Sequence, residues 1–379
     1  MKSLKTILIT AITVLFFSCG DENSENSTRS FYMGFTPWPY AATPEAIDNV
    51  YSFINTEGDM VAHHFQQGIP FTASDTLDFN TYDVNVRNEI NDRINKTSPG
   101  KVIYLAIDSL NGSRNGLADL WGSSANTPSP TPWDARSFDD TAVITAYVNF
   151  SIAVIEKFRT EYGTLPVYFN YATEISELMI NSTSKFTEFI VFAQAVYPAI
   201  KTAYPSIKMM VSIALKTPGS TGMTTTTAGF AQIKDYVDVV GISTYGYAFY
   251  SHSDKGNPDN LPADWLTQIK TIASGKPYGV TETGWIAEDL SIDAYSLNVT
   301  SSENYQNNYL NKLMNGCNDE LNAEMIIWFT SHDYDTLWTD TLDSDDLSKI
   351  WKDTGLISEA MTGRSALTSW RSWMGRDKQ

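Results

Sequence analysis

The chain has 379 residues, 42% hydrophobic and 13% aromatic, enough apolar material for one full-sized core or two small ones. Its formal net charge of −18 speaks against a nucleic-acid partner and against binding to anionic lipid headgroups, since both would be repelled. Such a surface suits a neutral substrate.

The first residues, "MKSLKTILITAITVLFFSC", combine a basic start, an apolar run from Ile7 to Phe17, and Ser18-Cys19. The run is too short to span a bilayer and fits the core of a signal peptide. Its ending "LFFSC" resembles the lipobox of bacterial lipoproteins. That resemblance implies cleavage before Cys19 and diacylation of its sulfur, with residues 1–18 as the signal peptide; a plain secretory signal is the alternative. Residues 19–30 then form a flexible acidic tether, "CGDENSENSTRS", similar to the export signals of Bacteroidetes-type surface lipoproteins. The expected location is the outer membrane, at the cell surface, with membrane contact through the lipid anchor only. Cys317 is the other cysteine, so no intramolecular disulfide is expected once Cys19 is acylated, and Cys317 reads as a buried thiol.

Beyond the tether, short apolar runs alternate with amphipathic stretches. The strand candidates are 31–36, 60–65, 101–107, 166–172, 207–215, 237–244, 276–282 and 324–330. Helical spacing marks 139–160, through Val143, Tyr147, Phe150, Val154 and Phe158, and 185–203, through Phe186, Phe189, Ile190, Ala193, Val196 and Ile200. Thr43 followed by Pro44 is a helix start, and helices also fit 84–96, 224–235, 263–273 and 303–315. Strands buried on both faces and alternating with helices indicate a parallel sheet. Eight such units predict an α/β fold of one domain, a (β/α)8 barrel over residues 31–379. The Ser-, Pro-, Asn- and Gly-rich insertion at 109–138, with Trp121 and Trp133, follows the third strand. It is expected over the C-terminal mouth, as a substrate loop or as an ordered cover.

A barrel of this kind places its reactive groups at the C-terminal ends of its strands. "PVYFNYATEISEL" delivers Glu174 from strand four and "GVTETGW" delivers Glu282 from strand seven. Two facing carboxylates, one ionised to attack an anomeric carbon and one protonated to release the leaving sugar, are what a retaining glycosidase needs. Each acid alone is as readily a solvent-facing or ion-paired residue.

At these residues the sequence resembles the clan A glycoside hydrolases, whose acids lie on strands four and seven, and its spacing is most similar to family 53, the endo-β-1,4-galactanases. By that resemblance "YFNYATEIS" makes Glu174 the acid/base and "GVTETGW" makes Glu282 the nucleophile. "VDVVGISTYGY" maps a tyrosine donor to the nucleophile onto Tyr245, and "EMIIWFTSHD" maps the floor of the sugar site onto Trp328. Three positions depart from the pattern: Thr173 stands before the acid/base where Asn is usual, strand two offers His63 and His64 in place of an arginine, and strand five shows Ser212 and Ala214.

Strand alternation sends one of His63 and His64 inward and the other toward the helices; the inward one is a candidate donor to a sugar hydroxyl or to Glu282. Trp38, Trp285 and Trp328 near strand ends are candidates for a sugar platform, with core packing the alternative. Asn170 completes the substrate-binding candidates. Asp108 binds a sugar hydroxyl or caps the following loop, and Glu177 reads as a solvated or capping acid. No Cys/His cluster supports zinc, and the acidic stretch "HDYDTLWTDTLDSDD" lacks the spacing of an EF-hand and reads as a solvated loop. Neither metal nor cofactor is therefore expected. The resulting expectation is a monomeric, retaining endo-glycoside hydrolase acting on a neutral β-linked polysaccharide, a galactan or β-glucan. The competing expectation is a catalytically weak glycan-binding lipoprotein on the same barrel.

Overall fold

Residues 28–65, 78–118 and 136–379 are described by the structure, a computed structural model. The signal peptide, Cys19, all but the last residues of the tether, Trp121 and Trp133 lie outside the described residues.

Eight parallel strands close into a barrel: Tyr32–Phe35, Met60–Phe65, Val102–Ile107, Tyr168–Ala172, Lys208–Ala214, Val239–Thr244, Tyr278–Thr283 and Met325–Trp328. Each pairs with the next in sequence and strand eight pairs with strand one. Period-two alternation sorts their side chains. Met60, Ala62, Tyr104, Ala106, Tyr168, Met210, Val239, Met325 and Ile327 fill the interior. Val61, Ile103, Leu105, Phe169, Val211, Ile213, Val240, Ile242, Val280 and Ile326 pack outward under the helices. At Gly34 a Cβ would meet the Met60 carbonyl oxygen at 2.5 Å, so only glycine lets strands one and two approach this closely.

Helices cover the outside where the apolar periodicity placed them. Pro44–Glu57 starts under a cap in which Thr43 accepts from the Ala46 amide. Thr141–Lys157 runs on as a π turn through Tyr162, and Thr183–Ala203, Thr221–Ile233 and Glu303–Asn315 follow. The helix expected at 263–273 shrinks to Ile269–Ile272, because the residues before it close i→i+3 turns, as in Trp265 to Pro262. Ser365–Met374 closes the outer layer, its Trp370 ring 4.5 Å from Phe35.

Two departures from regular pairing bear on the mouth. Between strands four and five, Asn170 pairs with Met210 and Ala172 with Val211, so strand four carries one extra residue. Strand seven carries an extra residue after Val280 relative to both of its neighbours. Such bulges re-aim the side chains that follow. The acid-bearing strands are thus the two that bulge just before their acids. At the opposite pole, Thr28–Arg29 pairs in parallel with Asp377–Lys378.

Candidate active site

Glu174 stands between strand four and the helix Ile175–Asn181, in the left-handed backbone region at φ 53°. A non-glycine residue there costs about 1 kcal/mol or more, and the surroundings hold it. Its amide donates to Ser212 Oγ at 2.8 Å. Ser243 Oγ donates to Oε1 at 2.8 Å, and Arg114 Nε to Oε2 at 3.3 Å. The side chain keeps 26% of its surface.

Across the mouth, Glu282 Oε1 accepts from the Tyr245 hydroxyl at 2.8 Å. Burial, followed by the charge of Glu174, pushes its carboxyl above the ordinary glutamate value; His64, the Tyr245 hydrogen bond and Arg114 pull the other way. Tyr245 is itself buried and its phenol is held well above its ordinary value by burial and by Glu282, so it stays a donor.

Asp108, at the end of strand three, links the two sides. Its Oδ1 accepts from the Thr173 amide at 3.1 Å and the Leu110 amide at 3.2 Å, and its Oδ2 from the Thr173 hydroxyl. Arg114 Nη1 lies 2.9 Å and His64 Nε2 3.6 Å from Oδ2. Burial would raise this carboxyl, but Arg114 and then His64 outweigh it and leave Asp108 below its usual value. Of the two roles considered for Asp108, both hydrogen-bonding and capping capacity are thus taken up within the protein.

The structure separates the histidines. His64 faces Asp108 and Glu282, whereas His63 is fully buried under the helices, 3.1 Å from Thr97 Oγ1 and packed on Tyr51 and Phe158. His63 is therefore no sugar ligand.

Two tryptophans are corrected as well. Trp285 is fully buried, donates to the Gly256 carbonyl at 2.9 Å and stacks on Tyr309. Trp328 follows the outward alternation of Ile326; it is fully buried and donates to the Thr354 carbonyl at 2.8 Å. The next residue, Phe329, is partly exposed, with its ring 5.6 Å from Trp38. Trp38 is also partly exposed and 6.0 Å from Tyr334. Asn170 is locked inside the barrel, donating to the Tyr104 hydroxyl and accepting from the Ala172 amide across the bulge. Burial leaves it no surface to offer a sugar.

Sequence reasoning assigned no role to Arg114, Ser243, Phe329 or Trp351, whose ring lies 5.7 Å from Tyr245, and it named Ser212 only as a departure from the family pattern. A signal for Arg114 was present: it lies in "DSLNGSR" at the head of the insertion expected over the mouth. The acidic stretch after strand eight is not simply solvated. Asp333 is buried against Arg364, and Asp335 pairs with Lys352. Glu177 pairs with Lys216 at 2.7 Å. Among the described residues, the acids gathered closely enough to hold an ion are Glu288, Asp333 and Asp353. Arg364 reaches Glu288 and Asp333, and Lys352 reaches Asp353, so two cations of the chain already serve them.

A family model described as Glycosyl hydrolase family 53 matches residues 117–339, which include strands four to eight and both acids. None of the curated proteins matches. Solved structures share the fold at low identity. The Ignisphaera aggregans GH53 catalytic domain is 15% identical with a TM-score of 0.58, over 91% of this chain and 96% of that one. An exo-β-1,4-mannosidase from Opitutaceae bacterium strain TAV5 is 12% identical with a TM-score of 0.60, and the chain, 91% covered, spans 59% of its length. A GH5 protein from Streptomyces cattleya, in complex with Manb1-4GlcNAc, is 12% identical with a TM-score of 0.60, over 91% and 80% of the two chains.

Proposed function

Because the chain belongs to glycosyl hydrolase family 53, its reaction is hydrolysis of a glycosidic bond, and we propose that it cuts a neutral β-linked polysaccharide, a galactan or β-glucan, internally and with retention of configuration. The observation that carries this reading is the facing pair: Glu282 held by the Tyr245 hydroxyl, and Glu174 presented by a left-handed backbone between Ser243 and Arg114.

In this reading the ionised Glu282 attacks the anomeric carbon while Glu174 gives its proton to the departing oxygen, leaving a glycosyl ester on Glu282. Glu174, now ionised, takes a proton from water as the water attacks the same carbon and releases Glu282. Tyr245 favours the charged form of the nucleophile. Ser243 donates to one oxygen of Glu174 and Arg114 to the other, which fixes the direction in which its carboxyl faces the departing oxygen and, in the second step, the incoming water. Phe329 and Trp38 supply apolar faces for the sugar's C–H surface.

The net charge of −18 supports a neutral polymer over a polyanion. We also propose that the mature chain starts at an acylated Cys19 and is displayed on the outer membrane; mass spectrometry of the native N-terminus tests this, and an unmodified start would refute it. The reaction is tested by reducing-sugar release from β-galactans, β-glucans and polyuronates, with the anomer of the first-formed product read by NMR. An inverted product, or faster cleavage of a polyuronate, would overturn the reading.

A further inference from the structure

Arg114 lies in the loop after strand three, itself in the left-handed region at φ 55° and only 7% exposed. Its Nη1 is shared by Asp108 at 2.9 Å and the Asn111 carbonyl at 3.2 Å, and its Nε serves Glu174. Among the described residues no acceptor is hydrogen-bonded to Nη2. A guanidinium carries five N–H donors in a fixed fork, so the Nη2 end remains for a ligand. Its Nε contact places it against Glu174, and its positive charge also acts, more weakly, on Glu282.

A sugar reacting there develops positive charge on its anomeric carbon and ring oxygen. A bare cation facing that charge would oppose the reaction, but Asp108 pairs with Arg114, so the guanidinium remains a charged donor within a pair of little net charge. The acceptor on the other side of the anomeric carbon from the ring oxygen is the hydroxyl of carbon 2. Thr173, directly before Glu174, cannot donate to it, because its hydroxyl hydrogen is given to Asp108.

We propose that Arg114 Nη2 donates to the 2-hydroxyl of the sugar held between Glu174 and Glu282, which makes Arg114 a specificity-determining residue. The proposal rests on the assignment of Glu282 as nucleophile and Glu174 as acid/base. It explains why an arginine is buried on a loop with one end unengaged, where a purely structural ion pair with Asp108 would need only a point charge.

The test crosses two changes. Dinitrophenyl β-glycosides of the disaccharide the enzyme releases are prepared with and without the 2-hydroxyl on the sugar bearing the aglycone, and kcat/KM is measured for the parent and for Arg114→Lys, which keeps a charge beside Asp108. A hydrogen bond from a charged donor is worth about 10- to 100-fold. Removing the hydroxyl is expected to cost the parent about 10- to 100-fold more than it costs Arg114→Lys, with thermal unfolding showing both folded. Equal losses in the two enzymes would overturn the proposal. Should Arg114→Lys unfold, Arg114→Gln with Asp108→Asn removes both buried charges and is judged by the same ratio. Glu282→Gln separates the two levels of argument: an active Glu282→Gln sinks the nucleophile assignment, whereas an inactive one with equal losses sinks only the role of Arg114.

Discussion

Glu282 and Glu174 are the same residue type in different surroundings, and the difference can be measured. Because burial and the Glu174 charge raise Glu282, and because attack needs its ionised form, the acid limb of the kcat/KM profile should lie above the ordinary glutamate range. Tyr245→Phe removes a hydrogen bond that pulls the Glu282 carboxyl down, so on dinitrophenyl glycosides the limb should move to higher pH. An unmoved limb would show that Tyr245 does not favour the ionised nucleophile. A second contrast separates two neighbours. Phe329→Ala should raise KM several-fold with little change in thermal stability, whereas Trp328→Ala should cost about 3–5 kcal/mol of stability, as for a large buried aromatic. That Glu174 and Glu282 stand at the ends of strands four and seven was legible by counting strands, and the Tyr245 neighbour of Glu282 came from the family resemblance. Trp285, Trp328, His63 and Asn170 were misjudged for one reason: which way a strand-end side chain turns depends on register, and a residue's type does not encode it.

All eight barrel strands were legible as elements, since a parallel sheet buried on both faces writes continuous apolar runs. The bulges were not, because an extra residue leaves no mark on composition. Strict alternation from Gly279 through Thr281 would turn Glu282 toward the helices; the extra residue in strand seven turns it back toward the mouth. The small hairpin Leu290–Ile292 with Leu297–Val299 was also missed, its strands being too short for a periodic signal. Between elements, Arg364 ties the entry of the closing helix to the loops after strands seven and eight, through Glu288 and Asp333. Asp333 is buried, and Arg364→Met would take away the donor to its carboxyl. The expected cost is about 1–3 kcal/mol, against no more than about 1 kcal/mol for Arg371→Met, whose pair with Glu57 is 58% exposed on the arginine side. Urea unfolding of both variants checks the ratio, and equal costs would refute the argument.

For the molecule as a whole, acid stability follows from the buried histidines. Burial holds His63 well below its ordinary 6.5 and His332 at about 4. In the unfolded chain both would take up protons near 6.5, so stability is present above that pH and is lost as pH falls, by up to about 1.36 kcal/mol per unit for each histidine. Asp333, raised to about 8, acts with the opposite sign: its contribution is full below the unfolded carboxylate value and is lost as pH rises through about 8. His63→Phe should flatten the fall in unfolding free energy between pH 6.5 and 5 relative to the parent, a difference from which Asp333 cancels. An unchanged slope would show that His63 titrates freely. The pairing of Thr28–Arg29 with Asp377–Lys378 has one more consequence. The first described residues and the last residues of the chain thus meet at the pole from which strand one sets out, opposite the catalytic rim. A partner fused after Gln379 would therefore sit at the pole opposite the catalytic rim and leave that rim unobstructed.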